Sequence, residues 1–293
     1  MKKILVLLLA CALIASGGYG CSTVEEDDAE FRIVASFYPV YITVLNLIDG
    51  VDGVKADNMA GQQTGCLHDY QLQSKDMKNI ERADVFVING AGMESFLDKV
   101  TDQLPELTVI NASEGIPLLE EDESQNPHVW VSISGCMQQV SNIAEGLAQA
   151  DPERGEQYRE NAREYMEKLT ALQEKMHAEL DDLPNRDIIT FHEAFPYFAE
   201  EFGLNIVRVI NREPDSQPSA KELAETIRLI EETDVKAVFV EPQYPDSAAD
   251  IVAAETGATV YTLDPVVTGE DDPDAYLDAM EKNMEVLKTA LAG

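Results

Sequence analysis

The sequence predicts an α/β protein of two lobes, each a roughly four-stranded parallel sheet flanked by helices, joined by one long rigid helix. Three observations predict this fold class. Short apolar runs of strand length alternate with segments of helical period, a pattern typical of βαβ units and parallel sheets. About four such runs lie on each side of the middle of the chain. The middle itself is an uninterrupted helical pattern, so two small sheets fit better than one large sheet.

The first lobe is predicted to span residues 31–151. Its short apolar runs predict strands at residues 32–36, 85–89, 107–111 and 129–131. Its amphipathic stretches predict helices at residues 40–48, 74–82, 93–103 and 134–150.

The second lobe is predicted to span residues 185–293 and repeats the alternation. Runs rich in β-branched and aromatic residues predict strands at residues 187–191, 206–210, 237–241 and 259–263. Helices are expected at residues 194–202, 219–233, 246–256 and 273–291.

Residues 152–184, between the lobes, are predicted to form the linking helix. Asp151 and Pro152 make a start signal, because proline is favoured at the first helical position. Apolar residues recur at three- and four-residue steps, at positions 158, 162, 165, 169, 172, 176 and 180. About thirty residues at about 1.5 Å each give a strut of about 45 Å. The alternative is one more surface helix of a single domain.

Residues 1–20 are typical of a signal peptide. Lys2 and Lys3 precede an apolar run too short to span a bilayer comfortably, and small residues follow it. We therefore expect an exported protein, at the cell surface or in the periplasm. Cys21 is the expected lipidation site at the head of an acidic tether, residues 21–30, which would anchor the protein to the membrane. Plain cleavage without a lipid is the alternative.

The composition, with 45% hydrophobic and 26% charged residues, is that of a globular protein able to build a core. The formal net charge is −34 and the isoelectric point is near 4.2. Residues 1–20 hold two lysines and no acids, so the mature chain has 19 basic and 55 acidic residues, a net charge of −36. This charge repels phosphate backbones and excludes nucleic acid as a partner. It attracts cations, although solubility alone also accounts for an acidic surface.

Three of the four histidines occupy strand–helix junctions. These are His68, His128 and His192, and Asp264 follows a predicted strand in the same manner. Parallel sheets bind ligands beyond the carboxyl ends of their strands, so these side chains are candidates for one site. They lie 60, 64 and 72 residues apart, which indicates a tertiary site in a cleft. The fourth, His177, falls in the linking helix and is expected at the surface.

Five segments in order carry a resemblance to a known family. They are His68-Asp69-Tyr70, residues 126–130 (Asn-Pro-His-Val-Trp), 190–198 (Thr-Phe-His-Glu-Ala-Phe-Pro-Tyr-Phe), 238–243 (Val-Phe-Val-Glu-Pro-Gln) and 261–265 (Tyr-Thr-Leu-Asp-Pro). With these segments the mature chain resembles the zinc- and manganese-binding solute-binding lipoproteins of bacterial ABC importers, the cluster A-I family.

The resemblance implies a metal ion held between the lobes. Its ligands would be His68 and His128 from the first lobe and His192 and Asp264 from the second, with Glu241 as an extra ligand or a carboxylate supporting one. It also implies a monomeric binding protein, without enzymatic activity, that delivers the metal to an ABC permease in the membrane. Such a site should weaken as its imidazoles protonate, near pH 6–7 for ordinary histidines.

The ligand set favours zinc over manganese. Three imidazoles and one carboxylate suit Zn²⁺, whereas Mn²⁺ prefers more oxygen, and manganese-type relatives tend to carry an acid in place of His192. Two departures from the zinc-type pattern remain. Residues 118–125 hold no histidine, where many such relatives have a histidine-rich loop, and Gln71 replaces the usual Glu. Manganese therefore stays the alternative cargo.

Several alternatives stay open at this point. Cys66 and Cys136 could form a disulfide in an oxidising compartment, Cys66 could bind the metal, or both could be small buried residues. A metal-binding surface adhesin would have the same site. A zinc hydrolase could use Glu193 as a base, although the chain has no His-Glu-x-x-His helix.

Overall fold

The computed structural model describes residues 29–292 except 63–66, 68–69, 122–123, 211–217, 234 and 244–246. Within these ranges the chain forms two four-stranded parallel sheets flanked by helices, with one long helix between them in sequence. The predicted fold class is therefore confirmed. No helix in the described ranges has the length and apolar character needed to cross a membrane.

The first sheet has the strand order β2-β1-β3-β4, with every pair parallel. Its strands are β1 (Phe31–Ala35), β2 (Val54–Asn58), β3 (Val85–Ile88) and β4 (Thr108–Asn111). A short antiparallel hairpin follows, β5 (Glu120–Glu121) with β6 (Ser124–Gln125). The helices of this half are α1 (Tyr38–Leu47), α2 (Ser74–Ile80), α3 (Leu97–Gln103) and α4 (Ile133–Ala150).

The structure corrects the prediction at two places in the first sheet. Strand β2 was not predicted, because as an edge strand it buries only alternate residues, and those only partly. The strand predicted at 129–131 is wrong, since Val129–Val131 is a 3₁₀ turn leading into α4. Ser132 ends that turn and caps α4, its Oγ accepting from the backbone N–H of Gly135 at 3.0 Å. All three turn residues are nevertheless buried, which explains their strand-like apolar pattern.

Helix α5 (Gly155–Leu180) is the long connecting helix, with 26 residues and a length of about 39 Å. It begins three residues later than predicted, after a turn that contains Asp151 and Arg154. The apolar stripe predicted from the sequence is its buried face, residues 158, 162, 165, 169, 172, 176 and 180. This face packs on α4 and α1 from the first half of the chain and on α9 from the second.

The second sheet has the strand order β10-β9-β7-β8, again all parallel. Its strands are β7 (Asp187–Thr190), β8 (Asn205–Val209), β9 (Ala237–Val240) and β10 (Thr259–Thr262). The flanking helices are α6 (Pro196–Phe202), α7 (Ala220–Thr233), α8 (Ser247–Thr256) and α9 (Ala275–Leu291).

One apolar core extends through both sheets, and a smaller one lies on the far face of the second sheet. Ile188 belongs to the large cluster and its neighbour Ile189 to the small one, because successive strand residues face opposite sides. With both faces of the second sheet packed, ligands can be presented only at its ends. The ends of its central strands therefore position the candidate site.

Candidate metal centre

Three adjacent strands of the second sheet each deliver one predicted site residue. His192 follows β7, Glu241 follows β9 and Asp264 follows β10. Because these strands are parallel neighbours in the order β10-β9-β7, the three residues emerge at the same edge of the sheet. The βαβ pattern that suggested a site at the strand ends is thus realised in this half of the chain.

His192 and Glu241 form a buried pair. Nδ1 of His192 lies 2.7 Å from Oε1 of Glu241, and each residue is 2% exposed. Since a carboxylate accepts hydrogen bonds, Nδ1 carries the proton, and the neutral form of the ring has its lone pair on Nε2, the nitrogen that could bind a metal. Oε2 of Glu241 is also buried and meets no hydrogen-bond partner within the described ranges. A cation nearby would satisfy that oxygen.

His128 reaches the same place from the other half of the chain. It lies just before the 3₁₀ turn, is 2% exposed, and its ring centroid is 4.9 Å from that of His192, with the two planes at 89°. Its Nδ1 lies 3.0 Å from Oδ1 of Asn126. The structure therefore brings His128 and His192 into edge-to-face contact, although they are 64 positions apart in sequence.

A buried polar network supports the His128 segment from the first sheet. Nδ2 of Asn89, at the end of β3, donates to the carbonyl of Pro127 at 2.9 Å, and Gln139 donates to Oδ1 of Asn89 at 2.8 Å. Glu94 accepts from the backbone N–H of Asn89 at 2.8 Å and from the Ser36 hydroxyl at 2.7 Å. Burial raises the pKa of Glu94, against these hydrogen bonds, which lower it. The network fixes His128 relative to β1 and β3.

Asp264 lies in a tight turn after β10. It is half-buried, its Oδ1 accepts from the backbone N–H of Val266 at 2.8 Å, and its own N–H donates to Asn283 at 2.8 Å. Val266 has φ = +60°, a strained conformation for a β-branched residue, and that hydrogen bond helps to hold it. Burial raises the pKa of Asp264, the Val266 N–H and Gln243 lower it, and the charge of Glu241 raises it.

Trp130 connects the Asp264 turn to the His128 segment. Its indole Nε1 donates to the carbonyl of Pro265 at 2.7 Å, and its ring centroid is 5.3 Å from that of His128. Tyr276 on α9 donates to the carbonyl of Trp130 at 2.8 Å. The turn that carries Asp264 is therefore fastened beside His128 through one buried side chain.

The predicted residues are placed as follows. His128, His192 and Glu241 are in contact as one group, and Asp264 lies at the same sheet edge. His68, Cys66 and Cys21 lie outside the described residues. Among the residues that the structure does describe, no three His, Cys, Asp or Glu side chains are gathered closely enough to hold a metal ion.

Cys136 and His177 lie away from the candidate metal site. Cys136 is a free thiol, 2% exposed in α4, and burial raises its pKa to about 12. Among the alternatives of a disulfide, a metal ligand and a small buried residue, Cys136 matches the small buried residue. His177 is partly exposed on α5, with Nδ1 3.0 Å from Oδ1 of Asp181.

Asn126, Trp130 and Gln243 contribute to the site without having been predicted. Each forms its key contact with a residue distant in sequence, so no local pattern identifies it. The signal available was the family resemblance, because Asn126 and Trp130 belong to the segment 126–130 and Gln243 to the segment 238–243.

Comparison with known proteins identifies the family of the chain. The ZnuA family model, zinc-uptake complex component A periplasmic, matches residues 33–290. The chain is 29% identical to the high-affinity zinc uptake system protein ZnuA of Bacillus subtilis, over 98% of this chain and 97% of that protein. It is 32% identical to the zinc-binding lipoprotein AdcA of Streptococcus pneumoniae, over 98% of this chain, and spans 61% of that protein's length.

Solved structures of similar proteins share the fold of this chain. Zn(II)-bound AdcA from Streptococcus pneumoniae superposes with a TM-score of 0.79 and 28% identity, covering 90% of this chain and 58% of that one. The solute-binding protein FpvC of Pseudomonas aeruginosa, in complex with Mn²⁺, superposes with a TM-score of 0.81 and 30% identity, covering 89% and 98%. Since the family model matches residues 33–290 and the two parallel sheets match those of solved solute-binding proteins, the chain belongs to the family of zinc-uptake complex component A, whose members are solute-binding transport proteins rather than enzymes.

Proposed function

We propose that this chain captures Zn²⁺ outside the cytoplasm and delivers it to an ABC permease for import. One observation carries the proposal. His128, before α5, and His192, after it, place their rings 4.9 Å apart, and both are 2% exposed. Two imidazoles are buried against each other, and Nδ1 of each lies at a hydrogen-bond acceptor. This arrangement suits a pair of metal ligands that bind through Nε2.

The full ligand set is proposed to be His68, His128, His192 and Asp264. Glu241 supports His192, since its Oε1 is occupied by Nδ1 of that ring at 2.7 Å. A carboxylate on the far nitrogen orients a metal-binding imidazole and makes it more basic, which strengthens its bond to the metal. The domain limits proposed from the sequence, 31–151 and 185–293 with 152–184 between them, put ligands on both lobes.

Zinc is the proposed cargo because three nitrogens and one carboxylate are its usual ligands. The zinc-binding AdcA and ZnuA relatives support this choice. The Mn²⁺ complex of FpvC keeps manganese as the second candidate, with a preference for more oxygen ligands. The affinity order of divalent metals also places Mn²⁺ below Zn²⁺ at a site of this kind.

Export, anchoring and delivery complete the proposal. The signal-peptide pattern of residues 1–20 supports export, and the AdcA lipoprotein supports a lipid on Cys21. The zinc-uptake family supports a permease as partner. The binding protein is proposed to act as a monomer. No contact among the described residues favours adhesion or hydrolysis over transport, so neither is proposed.

Calorimetric titration of the mature chain without its first 21 residues tests the proposal. We expect one tight zinc site per molecule and far weaker manganese binding. His192→Ala should abolish the tight site, because it removes a buried ligand. His177→Ala is the matched control, since it removes a partly exposed histidine beside Asp181 and should leave zinc binding unchanged.

Three results would each contradict a part of the proposal. Absence of a tight zinc site in the folded wild type would mean that the family fold is retained without its cargo. Equal zinc affinity in His192→Ala and wild type would remove this histidine from the ligand set. Tight manganese binding with weak zinc binding would reassign the cargo while leaving the transport role in place.

A further inference from the structure

Asn126 is a buried amide that contacts both histidine segments. It is 1% exposed, and its Oδ1 accepts from the backbone N–H of His128 at 2.9 Å and lies 3.0 Å from Nδ1 of that residue. Its Nδ2 donates to the backbone carbonyl of Glu193 at 2.9 Å. Because Glu193 directly follows His192, one amide connects the two segments that carry the paired rings.

The Glu193 contact fixes which way the amide of Asn126 faces. A carbonyl oxygen can only accept a hydrogen bond, so the NH₂ group must lie on the side of Glu193. Oδ1 then faces His128, where it accepts from Nδ1 only if that nitrogen carries the proton. The neutral ring of His128 consequently has its lone pair on Nε2, the nitrogen that would bind the metal.

The backbone of Asn126 is held from the second half of the chain as well. The hydroxyl of Tyr197, on α6, donates to the carbonyl of Asn126 at 2.8 Å and accepts from the N–H of Leu119 at 2.9 Å. Turning Asn126 away would break several buried hydrogen bonds and leave buried polar groups unsatisfied, which is unfavourable. The orientation of the amide is therefore set by its hydrogen bonds to the protein itself.

We propose that Asn126 is a positioning residue of the metal site. It keeps His128 in the Nδ1–H tautomer and holds the His128 segment against the His192 segment, so that the two rings are paired in the metal-free protein. The inference rests on the proposed function, because it concerns how two of the ligands are presented to zinc. Asn126 itself does not touch the cargo.

A structural amide elsewhere in the fold provides the matched control. Asn142, on α4, donates through Nδ2 to the carbonyls of Ala112 and Glu114 at 2.8 and 2.9 Å. It ties α4 to the segment after β4, as Asn126 ties two segments at the site. Asn142→Ala should reduce stability without changing the tautomer of His128 or the affinity for zinc.

The test uses the mature chain with ¹⁵N-labelled histidine. Long-range ¹H–¹⁵N spectra of the metal-free protein at about pH 8, above the ordinary histidine pKa of about 6.5, report which ring nitrogen carries the proton. Zinc affinity is measured by competition with a chelator. We expect Asn126→Ala to give His128 in mixed tautomers and to weaken zinc binding by about 10- to 100-fold, the usual effect of losing a ligand's hydrogen-bond partner.

Asn126→Asp separates the two parts of the role. Its carboxylate still accepts from Nδ1 of His128, so the Nδ1–H tautomer should persist. It cannot donate to the Glu193 carbonyl, so the histidine segments lose their connection and zinc should dissociate faster than from the wild type. A loss of stability alone, as expected for Asn142→Ala, would change neither the tautomer of His128 nor the dissociation rate of zinc.

An unchanged His128 tautomer in Asn126→Ala, or a zinc affinity equal to that of the wild type, would overturn the inference. Should Asn126→Ala not fold, Asn126→Asp decides, and a mixed tautomer or an unchanged dissociation rate would count against the role. A wild type with no tight zinc site but with a tautomer that depends on Asn126 would instead refute the proposed function and leave the positioning role standing.

Discussion

The two buried histidines have hydrogen-bond acceptors of different charge on Nδ1. His192 faces the carboxylate of Glu241 at 2.7 Å, whereas His128 faces the neutral amide of Asn126 at 3.0 Å. A charged acceptor forms the shorter and stronger bond and gives the ring more electron density. His192 is therefore expected to be the stronger metal ligand of the pair, and His128 the one that exchanges more easily.

At the same scale, we predict that Cys136 does not react in the native protein. Its thiol is 2% exposed, and burial raises its pKa to about 12, so the reactive thiolate is scarce at pH 8. In a Cys66→Ser variant of the chain without its first 21 residues, Cys136 is the single cysteine. We expect iodoacetamide to label it only after unfolding in urea, or slowly as the pH approaches 12.

An exposed cysteine on the same helix is the control for this labelling. Ser141 lies exposed on α4, so Ser141→Cys in the Cys66→Ser background should react rapidly in the folded state. Native-state labelling of Cys136 as fast as that of the added cysteine would mean that α4 opens readily. The thiol would then be a local weak point of the core rather than part of it.

Among the elements, α5 is held by its apolar stripe more than by its ion pairs. Three ion pairs connect it to α9, Lys168–Asp274, Lys175–Glu281 and Glu179–Lys288, at 2.7, 2.8 and 2.7 Å. All are substantially exposed, and exposed pairs contribute about 0–1 kcal/mol each. Each fully buried aliphatic side chain of the stripe contributes more, about 1.5–3 kcal/mol.

We therefore predict that Leu169→Ala lowers the free energy of unfolding by about 2–5 kcal/mol, the range for a buried leucine. Leu169 is 0% exposed and packs within the core that both sheets share. Glu174→Ala, on the exposed face of α5, is the control and should change stability by about 0.5 kcal/mol or less. Urea unfolding measures both variants, and zinc stoichiometry should remain one in each.

A stability change in Leu169→Ala no larger than that in Glu174→Ala would show that the stripe is not the main support of α5. Loss of zinc stoichiometry in a folded Leu169→Ala would mean that the helix also shapes the site. The first result would mean that other contacts support α5. The second would make α5 an element that takes part in binding.

Most elements could be predicted from the sequence because their buried faces repeat with the period of their own structure. The stripe of α5 and the apolar runs of β7 and β9 are examples. The edge strand β2 could not, since it buries too little. For the site, His128 and His192 could be predicted from their positions at strand and helix ends. The contact of Asn126 could not, because its partner Glu193 lies 67 positions away and only the fold joins them.

At the scale of the whole molecule, side chains from the part of the chain before α5 form hydrogen bonds with the part after α5. These bonds connect the two sheets around the site. Tyr38 donates to the carbonyl of Glu270 at 2.6 Å, and Asn46 donates to the carbonyl of Pro273 at 2.7 Å. Trp130 and Asn126 add the contacts described above. None of the side chains that make these bonds is a proposed metal ligand, so we expect the two halves to stay joined and zinc to order only local groups.

We accordingly predict that zinc changes the shape of the molecule very little. Small-angle scattering should give the apo and zinc-loaded mature chain the same radius of gyration within error, about 19 Å for a compact chain of this length. A hinged protein would contract on binding, because its lobes would close on the ion. A clear contraction would mean that the bonds from Tyr38, Asn46 and Trp130 break in solution. Release of zinc would then occur by opening of the lobes. An unchanged radius would instead mean that zinc is released when individual ligands rearrange, and we expect His128 to be the first ligand to dissociate.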